Sequence, residues 1–305
     1  MTTSGAGLIP PQRMPATLET VHEVAGPWSM RTSKRFWEGF APSALPAGGT
    51  DDVVQAVFLC DTDWQRVDAT VTQQGGSARI VVSGPGDLTA ATEQVRRFLS
   101  LDIDAGAWPE VALRDPVIAR AQELFPGLRP CGFYSPYEAA VWAVLSQRMQ
   151  MGQAATLKAA LQSHYGDDGA FPAPEVLRRT EIDLPGRKLE YLHAVADAAL
   201  DSRLDGVRLR SLPSAEALRE VRQITGLGPF AAELVVIRGA NAPDVLPENE
   251  GRLDAEIAER YGELRSRAEI AEQWRPFRSW AAVNLRALRE LRLSRNPRSR
   301  PVAAP

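Results

Sequence analysis

Alternation of apolar and polar residues is confined to one stretch of this chain, and that confinement restricts the fold more than any other feature. Val67, Ala69 and Val71 alternate with Arg66, Asp68 and Thr70, and Ala78, Ile80 and Val82 alternate again over 78–82. A period of two places every second side chain on one face, the pattern of a half-buried strand. Val53–Cys60 adds an apolar run of strand length, and Gln73-Gln74-Gly75-Gly76 reads as the turn between the last two strands. Residues 87–100 then read as an amphipathic helix. From residue 115 onward strand signals almost vanish. Ser135-Pro136-Tyr137-Glu138 predicts a capping box with proline at the first helical position, and Tyr137, Ala140, Val141, Val144 and Leu145 follow at helical spacing. That helix is expected to end near 147–151, with a second through Tyr165. Further helices are expected over 187–200, 214–224, 230–239, 252–261, 267–273 and 278–293. The fold class predicted is α+β, with a small sheet unit first and an all-α unit after it.

A length of 305 residues is enough for two cores. The expected organisation is a disordered N-terminus over 1–18, rich in Gly, Pro, Ser and Thr, a β-rich domain over 19–108, a helical domain over 109–294 and a disordered tail over 295–305. No apolar run approaches the ~18 residues of a membrane helix, and the N-terminus lacks a charged-then-apolar signal pattern, so a cytoplasmic location is expected. Cys60 and Cys131 are the only cysteines, which excludes a four-cysteine zinc or iron–sulfur site and leaves two buried free thiols as the expectation. His22, His164 and His193 lack a metal-ligand spacing, so no metal site is expected in the protein. P-loop, dinucleotide and nucleophile-elbow motifs are also missing. The net charge of −3 does not favour a polyanionic partner, but charge is unevenly distributed. Between Arg275 and Arg300 there are eight arginines and one acid, Glu290, which makes this segment a candidate phosphate-facing surface.

The segment 214–239 reads as a helix, a Thr225-Gly226-Leu227-Gly228 hairpin, and a second helix starting at Pro229–Phe230. Glycines at 226 and 228 allow backbone angles closed to other residues and close approach of another backbone. The free N–H groups at the start of the second helix suit a phosphate. A tight helix–helix corner, with glycines serving packing alone, is the other reading of the same residues.

With ITGLGPFAAELVVIRG and APDVLPENEGRLDAEI taken together, the chain resembles the helix–hairpin–helix DNA glycosylases, in particular the 3-methyladenine DNA glycosylase II branch. Three more segments agree in order: SPYEAAVWAVLSQRMQMGQAA, LPGRKLEYLHAVA and AEQWRPFRSWAAVNLRAL, so the resemblance covers roughly 85–290. It implies an N-terminal TBP-like sheet domain before the helical glycosylase domain. It also implies base excision repair of damaged, alkylated purines in double-stranded DNA, by a monomer, with the target nucleotide flipped into a cleft between helical subdomains. No organic cofactor is implied; a cation bridging the hairpin to phosphate is.

Carried over residue by residue, the resemblance assigns DNA binding to Gln147, Arg148, Thr225, Gly226, Leu227, Gly228 and Pro229. It assigns the base pocket to Phe230, Leu234 and Arg286. Glu250 stands where the family has its catalytic aspartate, with Glu248 and Asp254 as nearby stand-ins; Asp254 is expected to share a helix face with Glu250. Arg148 occupies the place of an apolar wedge, and Arg286 that of a pocket tryptophan. The lysine of bifunctional glycosylases would sit near Glu233, which implies a monofunctional enzyme. Lys188 fits a family lysine with a structural or phosphate role. Two rival readings remain open: a lesion-binding module that cleaves slowly or not at all, and a helical enzyme acting on a small molecule that shares only the hairpin.

Overall fold

The computed structural model describes residues 15–38, 50–262 and 265–295. Strands β1 (Ala16–Glu23), β2 (Val53–Leu59), β3 (Arg66–Gln74) and β4 (Ser77–Gly84) form one antiparallel sheet in the order β1-β4-β3-β2. Gly75 (φ +59°) and Gly76 make the two-residue turn between β3 and β4. The register aligns Val54 with Val71 and Ile80, and Ala56 with Ala69 and Val82, so the alternating apolar residues form continuous buried rows on one face.

β1 continues these rows with Leu18, Thr20 and His22, paired with Val82, Ile80 and Ala78. It corrects the expected disordered N-terminus of 1–18, because Ala16, Thr17 and Leu18 lie in the strand. Two of its three inward residues are polar, so the alternation that exposes the other strands is missing. Backbone pairing and an Arg79–Glu19 ion pair (2.7 Å) hold this edge instead. Residues 1–14 and the expected tail after Arg295 lie outside the described residues.

Helix α1 (Met30–Glu38), which buries Met30, Ser33, Lys34 and Trp37 at helical spacing, is not among the expected helices, whereas α2 (Leu88–Phe98) is the amphipathic helix expected over 87–100. Asp87 caps α2 by accepting from the N–H groups of Thr89 and Ala90, each at 3.0 Å. Helices α3 (Trp108–Arg114) and α4 (Pro116–Leu124) precede α5 (Pro136–Leu145), which is buried along its whole length. Ser135 caps α5 by accepting from Glu138 N–H at 3.2 Å. The expected capping box is only half formed, because the Glu138 carboxylate turns to Lys158 at 3.4 Å. Then come α6 (Met151–Tyr165), α7 (Pro174–Leu177), α8 (Lys188–Leu200), α9 (Gly206–Ser211) and α10 (Ser214–Arg222). Helix α11 (Pro229–Leu234) runs into a π-helical turn at Val235–Gly239, followed by α12 (Gly251–Tyr261), α13 (Arg267–Glu272) and α14 (Arg278–Arg295).

Two buried clusters organise these elements, and neither is contiguous in sequence. One joins the sheet, α2, α5, α8, α10, α11 and the π-turn, including Phe58, Phe98, Tyr137, Leu192, Val221 and Val236. The other joins residues 105–121 to 253–288 through Trp108, Ile118, Leu253, Trp274 and Trp280. Asp115, 1% exposed, ties the early and late parts of this second cluster, since it caps α4 and also accepts from Trp274 Nε1 at 2.7 Å and Tyr261 Oη at 2.8 Å. Arg129 spans both clusters: it donates to the carbonyls of Pro27 and Ser100 at 3.0 and 2.7 Å, and its guanidinium lies 5.5 Å from the Trp280 ring centre. Burial pushes its pKa down to about 10. The seam between the two clusters is where the candidate site lies.

Candidate active site

The hairpin predicted over 225–229 joins α10 to α11, and its two glycines serve different ends. Gly226 has φ +91°, the left-handed region that favours glycine, and a Cβ there would sit 2.4 Å from Tyr191 Cγ. Its backbone is pinned from the other side, where Gln147 Nε2 donates to the Gly226 carbonyl at 2.7 Å. Gly228 is extended and exposed, and a Cβ there would meet nothing within 4 Å. Of the two hairpin glycines, the packing of the protein itself requires glycine only at Gly226. Thr225 and Pro229 are exposed, and Leu227 is buried with its N–H bonded to Ile224 O at 3.0 Å. Arg148, next to Gln147 beyond α5, is exposed with φ +50°. The structure therefore brings Gln147 to the hairpin and places Arg148 in the adjoining loop.

The pocket residues come from α11 and the π-turn on one side and from α14 and the loop before α12 on the other. Phe230, Glu233, Leu234 and Ile237 recur at the spacing of one helix face, and they line a cavity of about 70 Å³ with Arg238, Pro247, Glu250, Ser279, Val283 and Arg286. Phe230 is half exposed at the rim. Phe230, Leu234, Glu250 and Arg286 thus share one pocket, although 36 positions separate the last two.

Glu250 is the N-cap residue of α12, with φ −109° and ψ 92°, and its side chain makes no capping bond. Its carboxylate instead accepts from Arg286 Nη1 at 3.2 Å, with both side chains a little over one-quarter exposed. Asp254 lies one turn after Glu250, its N–H bonded to the Glu250 carbonyl at 3.2 Å, but its carboxylate does not enter the pocket. Asp254 is ion-paired with Arg267 outside the pocket, and Arg267 also donates to the Glu248 carbonyl at 2.9 Å. Glu248 is exposed and does not line the cavity.

Two further residues were not singled out for the pocket. Arg238 is buried and donates to the Cys131 carbonyl at 2.5 Å; burial pulls its pKa down to about 10, assisted by the neighbouring charge of Arg286. Glu233, 5% exposed, accepts from the N–H groups of Glu248 (2.9 Å) and Asn249 (3.0 Å) and from Asn249 Nδ2 (2.6 Å). The signal that could have found Glu233 is its i+3 spacing from Phe230 on the face that carries Leu234 and Ile237.

The arginines of the arginine-rich segment from Arg275 to Arg292 are paired with acids, and Arg298 and Arg300 lie outside the described residues. Arg275 and Arg278 pair with Asp244 at 3.0 and 2.9 Å, Arg289 with Glu290 at 3.7 Å and Arg292 with Glu256 at 2.7 Å. Asp244 and Glu256 lie outside the segment, so the pairs of Arg275, Arg278 and Arg292 are invisible to a count along it, whereas Arg289 pairs with its own neighbour. Lys188 donates to the Leu145 carbonyl at the end of α5, a structural contact, and burial lowers its pKa. His22, His164 and His193 each bond a backbone carbonyl, those of Leu101, Ala160 and Thr180.

Comparison with known proteins adds to this geometry. No protein-family model matches the chain. DNA-3-methyladenine glycosylase 2 of Escherichia coli (strain K12) is 28% identical over 239 residues, which cover 66% of this chain and 80% of that protein. A probable bifunctional transcriptional activator/DNA repair enzyme of Mycobacterium tuberculosis is 30% identical over 215 residues; the match covers 65% of this chain but only 42% of that longer protein. The solved 3-methyladenine DNA-glycosylase from Archaeoglobus fulgidus superposes with a TM-score of 0.68 over 87% of this chain and 96% of its own, at 18% identity. The chain is similar to the helix–hairpin–helix DNA glycosylases, in sequence to the Escherichia coli protein and in fold to the Archaeoglobus fulgidus one. Among these it resembles the 3-methyladenine glycosylase II branch, and in this chain the helix that starts at the hairpin also forms one wall of the pocket.

Proposed function

We propose that the protein is a monofunctional DNA glycosylase of base excision repair, which hydrolyses the N-glycosidic bond of a damaged purine flipped out of double-stranded DNA. The observation that carries this reading is the position of Glu250: a carboxylate at the wall of the seam pocket, two elements after the hairpin. The hairpin supplies a backbone surface for the phosphates, with Gly228 open to close approach and Gln147 holding Gly226. As the base leaves, positive charge builds on the sugar. A fixed carboxylate beside it lowers the barrier electrostatically while water adds to C1′ and gives up its proton. Arg286 holds Glu250 in place by donating to its carboxylate. A cation bridging hairpin carbonyls to phosphate belongs to the same reading; the Ile224 and Gly226 carbonyls each already accept one protein N–H bond and keep a second lone pair.

One observation favours the rival reading of a lesion-binding module with little cleavage. The Arg286–Glu250 pair offsets the carboxylate charge that catalysis needs, and it places a cation where an alkylated, already cationic purine would enter. Single-turnover base release from duplex DNA carrying alkylated purines separates the two. The glycosylase reading expects Glu250→Gln to slow release by roughly 10²–10³-fold, the scale of removing one group that stabilises transition-state charge, with DNA binding kept. Glu250→Asp should retain activity. Absence of release by both wild type and Glu250→Asp, with DNA binding intact, establishes the binding module. Equal release by wild type and Glu250→Gln removes Glu250 from the chemistry.

A further inference from the structure

We infer that Glu233 is a positioning residue for the reaction proposed above: its buried carboxylate clamps the loop that carries Glu250 and so sets where the Glu250 carboxylate points. The inference rests on the glycosylase reading for its consequence, but the clamp itself is a matter of geometry. The Glu250 side chain makes no capping bond to α12, and Glu248 and Asn249 just before it are exposed. What orders them is a side chain 15 to 16 positions earlier. Glu233 Oε1 accepts from Glu248 N–H and Asn249 Nδ2, while Oε2 accepts from Asn249 N–H. Three donors converge on two oxygens. Only a carboxylate offers acceptors on both arms; an amide would present a donor to one of these N–H groups. Bonds of this kind to an ionised acceptor are about twice as strong as neutral ones, and a buried acceptor set of this size is a rigid anchor.

The clamp has a second consequence. Glu233 lies one turn along α11 from Phe230 and next to Leu234, both pocket residues, and α11 begins at the hairpin glycine. One helix therefore sets the backbone surface, the pocket wall and the height of the Glu250 loop. A shift of about 1 Å in a reacting group can cost on the order of 10²-fold in rate, so a loop held at three points matters more than its exposed sequence implies.

The test is a double-mutant cycle on the full chain, with single-turnover base release and DNA affinity measured well below the melting temperature of each variant. Glu233→Gln keeps the shape and loses one acceptor arm; it should slow release by about 10-fold or more, with DNA affinity within about threefold of wild type, since no phosphate contact changes. In the Glu250→Gln background the same substitution should have no further effect, because there is no carboxylate left to position. A purely structural role would slow both backgrounds by the same factor, and that result overturns the inference, as does unchanged release by Glu233→Gln. Amide hydrogen exchange reads the clamp without activity. Faster exchange confined to 248–249 in Glu233→Gln supports it, and unchanged exchange there overturns it. If wild type releases no base from any lesion, the glycosylase reading fails by itself, and the exchange result still decides whether Glu233 holds the loop.

Discussion

The hairpin and the pocket both start from α11, but they are held by different kinds of interaction. The hairpin is local: five consecutive residues, one left-handed glycine, one turn bond from Leu227 to Ile224 and one long-range side chain, Gln147. The pocket is assembled from three separate segments and is organised by charge. Glu233 holds the loop, Arg286 holds Glu250, and the buried Arg238 lies behind them. The lesson is that a binding surface made of backbone needs little beyond turn geometry, whereas a charged pocket needs partners that only the packing of distant helices supplies.

The sharpest way to break this contrast is at Gly226. A Cβ at φ +91° collides with the Tyr191 ring, so Gly226→Ala should destabilise the fold by roughly 2–3 kcal/mol. Urea denaturation reads this directly; an unchanged midpoint would mean that the turn relaxes freely and the hairpin is not rigid. Because this variant disturbs folding, it cannot by itself report on phosphate contact.

A smaller effect is expected in the pocket. Arg286→Met removes the cation beside Glu250 while keeping a long side chain, and it should raise the release of cationic alkylated purines relative to a neutral damaged purine by about 10-fold, the worth of one partly screened charge contact. Competition between a cationic and a neutral lesion in one reaction measures the ratio. No change in that ratio would show that Arg286 acts on Glu250 alone and does not sense the base.

The smallest effect belongs to Gly228. Its Cβ meets nothing in the protein, so Gly228→Ala should leave the melting temperature within about a degree or two and weaken DNA of any sequence by several-fold. Affinities compared at two salt concentrations check that the loss is general, because phosphate contacts carry no sequence preference. Full affinity in a well-folded Gly228→Ala protein would show that nothing approaches this backbone closely.

Much of the architecture was legible from residue order. The alternation in β3 and β4, the proline-led start of α5, the helical spans of α8 and of α10 to α14 and the glycine hairpin all follow from short-range rules: side-chain periodicity, fixed backbone angles and caps that act within three or four residues. The family resemblance, not the residue pattern, pointed to Phe230, Leu234, Glu250 and Arg286, which line one cavity. It missed β1, whose inward side chains include Thr20 and His22, and α3 and α4, which are short and hold their place through Asp115 and Trp274.

Tertiary structure alone decided which charges meet. The run of arginines near the C-terminus looks like a surface for phosphate when counted along the chain, yet Arg275, Arg278, Arg289 and Arg292 each find an acid, and Arg286 finds Glu250 across 36 positions. The same holds for Glu233, which reads as an ordinary helix residue until its carboxylate is seen to gather the N–H groups of Glu248 and Asn249. Backbone preferences act over a few bonds and are written in neighbouring residues. Charge pairing depends on distance and burial, and both are set only once the two hydrophobic clusters have closed on their common seam.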